Sequence, residues 1–123
     1  HLVARLTKIT GEITFAAIPS LGTSYYLGLS NYLERHKGML GEEMYQVIKC
    51  LENKHHFLDL LDWLDIGNKV SAFIGEENAI PELESSTIIV KKIEVNGYQG
   101  YLGILGSTMM DYAFNITALR QVL

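Results

Sequence analysis

The residues best able to bind a metal in this sequence lie on one predicted helical segment. Glu52 and His55 form a Glu-x-x-His unit, the spacing that carboxylate-bridged di-metal centres place on the helices of a bundle. Such centres need a second unit and two further glutamate-bearing helices, and neither is present in the sequence. His56 lies about 100° from His55 around a helix, so the two imidazoles cannot easily share a metal. We therefore predict a solvated helix face and no metal site.

Candidates for acid, base or nucleophile are few. Glu76 and Glu77 follow a predicted strand and are paired carboxylates, but with no nucleophile beside them a solvated turn is the simpler interpretation. Cys50 lies in an apolar helical stretch, which favours a buried thiol. Ser24 and Ser30 lack the Gly-x-Ser-x-Gly frame of a nucleophile elbow. We predict no catalytic residue, no cofactor and no enzymatic activity.

The junction "GILGSTMMDY", residues 103–112, joins a glycine-spaced apolar stretch to a predicted helix. Thr108, with Asp111 three residues later, resembles a capping box in which Asp replaces Glu, and Ser107 is an alternative cap. A helix start behind glycines can also bind an anion, but the glycine-rich nucleotide fingerprint and the P-loop lysine are missing. We predict a structural corner, with a bound anion as the open alternative.

Composition indicates one folded domain that does not itself bind DNA. The chain has 123 residues, of which 48% are hydrophobic and 20% charged, as in ordinary globular domains. Its net charge of -4 disfavours nucleic-acid binding, which depends on clustered Lys and Arg, so we predict no DNA-binding residue. A single cysteine suits a reducing cytoplasm, and no apolar run approaches the roughly 20 residues that span a bilayer.

The first half of the chain predicts helix, strand, strand and helix. Leu2, Leu6 and Ile9 recur at helical spacing with no usual capping residue before them, so we expect a preceding N-terminal domain. We predict strands over 12–18 and near 24–29, followed by a helix capped by Ser30 or Asn31 and ending at Gly38.

Residues 41–65 form the main helical segment and carry two apolar stripes on different sides. Either the helix breaks near residues 53–56, or one long helix packs against two partners. We expect the second stripe to form an interface with another copy or with the preceding domain, through Phe57, Leu60 and Leu64.

The C-terminal half predicts a strand over 69–75, a hairpin and a closing helix. Asn96-Gly97 is the strongest short-range hairpin signal and sets the register. We expect the closing helix to place Met110, Phe114 and Leu119 on or near one side. The predicted fold class is α+β with a mainly antiparallel sheet. The predicted opposite pairs are Val95 with Tyr98, Ile93 with Gly100, Ile89 with Ile104, and Ile88 with Leu105.

Four phrases resemble a known family. "GILGSTMMDY" resembles the Gly-x-x-Gly-Pro-Thr-Arg-Met-Asp-Tyr signature of the bacterial heat-inducible transcription repressor HrcA. "IGEEN" (74–78), "GLSNYL" (28–33) and the opening "LTKITGEITF" are similar to further phrases of that family, in the same order. The family-motif residues carried over are Gly28, Ser30, Asn31, Gly75, Glu76, Glu77, Asn78, Gly106, Thr108, Met110, Asp111 and Tyr112.

The resemblance implies a single GAF-like regulatory and dimerisation domain over residues 1–123. It implies a homodimer that represses chaperone operons, binds an inverted-repeat operator through a separate N-terminal winged-helix domain, and responds to the chaperonin GroE. A small-molecule-sensing GAF-like module is the alternative.

The sequence departs from the family pattern at the corner and in length. Ser107 stands where the family has proline, Met109 where it has arginine, and Leu29 where it has threonine. Losing the arginine removes a fixed cation from the corner. The stretch after Pro19 is also short, which indicates a shortened or divergent relative.

Overall fold

A computed structural model describes residues 1–38, 41–75 and 83–123. Glu76, Glu77 and Asn78 lie outside the described residues. The described elements, in chain order, are α1 (Leu2–Thr10), β1 (Ile13–Ile18), a 3-10 turn (Pro19–Leu21), β2 (Thr23–Leu27), α2 (Leu29–Arg35), α3 (Gly41–Glu52), α4 (Lys54–Trp63), β3 (Ser71–Ile74), β4 (Ser86–Val95), β5 (Tyr98–Ser107) and α5 (Tyr112–Val122).

The described strands form one antiparallel sheet in the order β2-β1-β5-β4-β3. The β4–β5 hairpin turns at Asn96 and Gly97, whose φ angles of 52° and 86° are the left-handed values that a type I′ turn requires. This turn fixes the predicted register, and all four predicted opposite pairs are confirmed. The predicted α+β class with a mainly antiparallel sheet is confirmed as well.

Helices cover both faces of the sheet. On one face, α1 and α5 pack on Leu102 and Ile104 of β5 through residues such as Leu6 and Leu119. On the other face, α2, α3 and α4 contribute to a second core that includes Phe15 of β1. Alternate side chains along β1, β4 and β5 therefore pack into two separate cores, one on each face of the sheet. The domain thus has three layers.

The main helical segment breaks at Asn53, one of the two arrangements that the sequence left open. The Asn53 side chain accepts a hydrogen bond from the His56 backbone N–H at 3.3 Å and so caps α4. Because the chain changes direction at this break, the apolar sides of α3 and α4 both pack in the same core.

The predicted interface of Phe57, Leu60 and Leu64 is wrong for this reason. These side chains are only 3%, 3% and 9% exposed and lie in the same core as Val47 and Leu51 of α3. A stripe that is covered inside the domain cannot also present an apolar surface to another copy.

Three predicted helix details differ from the structure. Gly28, with a φ of 95°, precedes α2 as its N-cap, so Ser30 and Asn31 lie in the first turn and do not cap it. His1 caps α1, because its Nδ1 accepts a hydrogen bond from the Ala4 backbone N–H. Phe114 is 51% exposed, because it lies about 140° around α5 from the buried Leu119.

Candidate functional site: a cleft around a buried carboxylate

A cleft in the described structure opens where both helical layers meet one end of the sheet. Its volume is about 850 Å³. The end of α1, the end of α2 and the corner between β5 and α5 surround it. The lining residues are Thr10, Glu12, Arg35, His36, Glu84, Ser85, Ser107, Thr108, Met109, Met110, Asp111, Phe114 and Asn115.

Glu12 is the buried acid of this cleft and is only 4% exposed. It lies between α1 and β1, where Gly11 turns the chain with a φ of 68°. Its Oε1 accepts a charge-assisted hydrogen bond from Arg35 Nη1 at 3.2 Å. Its Oε2 lies 3.4 Å from Asn115 Nδ2, which donates to it. Arg35 belongs to α2 and Asn115 to α5, so this one carboxylate joins helices on opposite faces of the sheet.

Burial raises the pKa of Glu12 above its ordinary value of 4.5. The positive field of Arg35, then His36, and the hydrogen bond from Asn115 act in the opposite direction without cancelling the effect. The folded protein therefore holds a carboxyl group whose proton is bound more tightly than in the unfolded chain.

Two glycines of the predicted motifs make room for Glu12. A Cβ added to Gly28 would clash with the Glu12 carbonyl oxygen. A Cβ added to Gly106 would lie 2.8 Å from Glu12 Oε2 and 2.8 Å from Met110 Cε. Methyl groups do not fit at such distances without a shift of the neighbours. The structure thus brings Gly28, Gly106 and Met110 together around a residue that the sequence analysis did not select.

The corner at residues 107–112 is held by its own hydrogen bonds. Ser107 Oγ accepts from the Met109 backbone N–H at 3.0 Å, and the Met110 N–H donates to the Ser107 carbonyl at 3.1 Å. The Tyr112 hydroxyl donates to the Thr108 carbonyl and is hydrogen-bonded to Thr87 Oγ1 at 3.0 Å. The side chain of Tyr112 therefore ties the corner to β4.

The predicted capping box is wrong in its assignment. Asp111 is itself the N-cap of α5, and its Oδ1 accepts a hydrogen bond from the Phe114 backbone N–H at 3.0 Å. Thr108 and Ser107 do not cap α5, because the turn of residues 107–110 separates them from the first helical residue, Tyr112. The polar residues of the corner nevertheless have structural roles.

Three further motif residues among those that the structure describes, Gly75, Ser30 and Asn31, lie outside the cleft lining. Gly75, with a φ of 58°, approaches the corner from β3, since an added Cβ would lie 3.9 Å from Thr108 Cγ2. Ser30 and Asn31 line a separate surface groove with α1. The sequence analysis missed Glu12, Arg35 and Asn115. The available signal was a lone acidic residue, directly after a glycine, at the start of an apolar strand.

The chain matches the family model of the HrcA protein C-terminal domain over residues 2–116. The chain belongs to the HrcA family. The heat-inducible transcription repressor HrcA of Agrobacterium fabrum is 34% identical over 99 residues, which cover 76% of this chain and 26% of that protein. The repressors HrcA of Bartonella tribocorum and Brucella canis are 34% and 33% identical over 89 residues, covering 70% of this chain and 25% of each relative.

A solved structure supports the fold. A crystal structure of a hypothetical protein at 2.2 Å resolution superposes with a TM-score of 0.62 at 17% identity, over 80% of this chain and 29% of that chain. This likeness shows the fold alone. The chain spans about a quarter of the length of the HrcA relatives it matches.

HrcA membership confirms the family resemblance that the motifs indicated. Within the described ranges, no helix is both long and apolar enough to cross a bilayer. The same residues contain no group of three or more His, Cys, Asp or Glu side chains arranged to hold a metal ion.

Replacing Asp111 tests the cap of α5. We expect Asp111→Ala to lower the free energy of unfolding by about 1 kcal/mol, because the Phe114 backbone N–H loses its acceptor. Asp111→Asn is the matched control, since its amide oxygen can still cap the helix. Chemical denaturation measures both, and equal losses in the two variants would contradict the capping role.

Replacing Glu12 tests the raised pKa. Between the ordinary value of 4.5 and the higher folded-state pKa, the unfolded chain has released this proton while the folded protein retains it. Unfolding then releases protons, so the free energy of unfolding falls as pH rises. The stabilisation linked to Glu12 is thus fully present below pH 4.5 and is lost as pH rises through the folded-state pKa.

Glu12→Gln removes the ionisation while keeping the size of the side chain. We expect its free energy of unfolding, relative to the wild type, to rise with pH above 4.5 in urea titrations over a pH series. Glu34→Gln, at an exposed carboxylate of α2, is the control and should leave the wild-type slope nearly unchanged. If the free energies of unfolding of Glu12→Gln and the wild type changed with pH in parallel, burial would not raise the pKa of Glu12.

Proposed function

We propose that this chain is the C-terminal regulatory and dimerising domain of a repressor of chaperone operons. The match to the HrcA C-terminal domain over residues 2–116 is the observation that carries the proposal. The proposed role is regulatory and not enzymatic, and the proposed place of action is the cytoplasm, where the operons lie.

We assign operator binding to a separate N-terminal winged-helix domain. The chain carries 14 acidic residues against 10 Lys and Arg, which gives it a net charge of -4. DNA affinity comes largely from Lys and Arg that neutralise phosphates, so a chain with this balance is a poor operator-binding surface. The match covers only 26% of the Agrobacterium fabrum relative, which leaves ample length for a DNA-binding domain in that protein.

Dimerisation of this domain would place two operator-binding domains at a spacing that matches an inverted repeat. The second copy has to contact residues other than the internal side chains of α4. Large apolar side chains on the described surface include Trp63, which is 76% exposed, and Tyr45, which is 57% exposed. Aromatic residues of this kind are enriched in protein interfaces.

Response to the chaperonin GroE is the regulatory part of the proposal. Chaperonins act on chains that expose apolar surface before folding is complete. A repressor whose regulatory domain needs such help would lose activity when heat-damaged proteins compete for the chaperonin. This would link operon expression to the load of unfolded protein.

A small-molecule sensor is the second candidate, and the cleft favours it. A volume of about 850 Å³ lies within the range of about 300 to 1,000 Å³ that is usual for ligand sites. A buried acid with a raised pKa at its base is a further feature of such sites.

Sedimentation and DNA binding together test the first proposal. We expect this chain to sediment as a dimer and to leave an inverted-repeat operator duplex unshifted in gels, while the full-length repressor shifts it. A scrambled duplex is the control for non-specific binding. A monomer at high concentration would contradict dimerisation through this domain, and a salt-resistant operator shift by this chain alone would contradict the assignment of DNA binding.

A further inference from the structure

We propose that the cleft beside Glu12 binds a small zwitterion of the amino-acid class, with an apolar side chain. This inference deepens the second candidate function and rests on it. Four features of the cleft carry it: a fixed guanidinium, an oriented imidazole, an acidic wall on another element, and exposed apolar side chains.

Arg35 offers an anchored but incompletely used guanidinium. Its Nη1 donates to the Gly11 carbonyl at 2.7 Å and to Glu12 Oε1 at 3.2 Å, which fixes one corner of the planar group. The side chain is 52% exposed, and all its hydrogen bonds seen among the described residues use Nη1. Nε and Nη2 therefore remain as a pair of donors, the geometry that binds a carboxylate through two bonds.

His36 stands next to this guanidinium with its ring held in place. Its Nδ1 donates to the Tyr32 carbonyl at 2.8 Å, and its ring lies against Tyr32 with a centroid distance of 4.1 Å. Because Nδ1 faces a carbonyl acceptor, it carries the proton, and Nε2 is left for a second partner. In this tautomer Nε2 is an acceptor, so Arg35 supplies the donors for an anionic group and His36 offers an oriented acceptor for an N–H group beside it.

The negatively charged side chains of the cleft come from elements other than α2. Glu84 precedes β4 and Asp111 belongs to the corner before α5, and both line the same cleft. Asp111 uses Oδ1 to cap α5, which leaves its second oxygen as an acceptor. Walls of opposite charge on separate elements suit a ligand that carries a carboxylate and an ammonium group a few atoms apart.

Two apolar side chains at the cleft are exposed to solvent. Met109 is 88% exposed and Phe114 is 51% exposed, and both line the cleft. An apolar ligand side chain would cover these surfaces and add hydrophobic stabilisation to the polar contacts. The combination selects an apolar amino acid over a simple carboxylate or amine.

Three matched probes test the charge pattern on this chain. L-phenylalanine carries both charges, N-acetyl-L-phenylalanine only the carboxylate, and L-phenylalaninamide only the ammonium group. In amide NMR titrations we expect L-phenylalanine to shift residues 35–36 and 107–111 in a saturable manner. Each single-charge probe should bind at least about tenfold more weakly, since a charge-assisted hydrogen bond contributes about 1.5 to 3 kcal/mol.

Two variants test the two walls separately. Arg35→Gln removes the guanidinium, and Asp111→Asn removes a charge while keeping the cap of α5. We expect each to weaken binding of L-phenylalanine by at least about tenfold. Arg120→Gln, at the exposed end of α5 and outside the cleft lining, is the control and should bind as the wild type does. The dispersion of each spectrum shows whether the variant is folded, and Asp111→Asn carries the test alone if Arg35→Gln is not.

Three results would overturn the proposal: absence of saturable shifts with L-phenylalanine, equal binding of either single-charge probe, or wild-type binding by folded Asp111→Asn. Failure here is distinguishable from failure of the repressor proposal. Sedimentation and operator binding are measured without these probes, so their results do not depend on the cleft.

Discussion

The carboxylate of Glu12 is buried and accepts hydrogen bonds from both helical layers of the domain. Removing a carboxylate from water is costly unless charged and hydrogen-bonding partners replace the lost solvation. The partners are Arg35 and Asn115, which come from helices on opposite faces of the sheet. The acid can therefore be accommodated only when both helical layers are docked at this end of the sheet.

The same constraint explains why small residues surround Glu12. Ile13 of β1 pairs with Leu105 of β5, so Glu12 lies alongside Gly106 at the end of the ladder. An added Cβ at Gly106 would meet the carboxylate, and one at Gly28 would meet the Glu12 carbonyl. The glycines of two phrases that resemble the HrcA family thus contribute space and not side-chain chemistry. Asp111 and Tyr112 then fix the corner that lines one side of the cleft.

The predictions that proved correct depended on residues close together in the chain. Asn96-Gly97 has the turn preference that sets the β4–β5 register, so every predicted pair of that hairpin was correct. The motifs led to the right family because they are contiguous phrases. The interface prediction at Phe57 failed because periodicity gives the apolar side of a helix but not the direction in which α4 leaves the Asn53 break.

The cleft could not be predicted for a related reason. Glu12 is 23 residues from Arg35 and 103 residues from Asn115 in the chain, so no local spacing connects them. In the sequence alone, Asn115 is an ordinary polar residue of a predicted helix. Arg35 is likewise an ordinary solvated cation. Only the order of the sheet, with β1 beside β5, brings their elements to the same end of the domain.

A double-mutant cycle between Glu12 and Arg35 measures how far the buried carboxylate depends on its cationic partner. The free energy of unfolding is measured for the wild type, Glu12→Gln, Arg35→Gln and the double variant at neutral pH. Because Arg35 is half exposed and partly screened by solvent, we expect a coupling of about 1 kcal/mol, with the double variant less destabilised than the sum of the single variants. Additive losses, with a coupling of about zero, would instead show that the buried carboxylate does not depend on this partner.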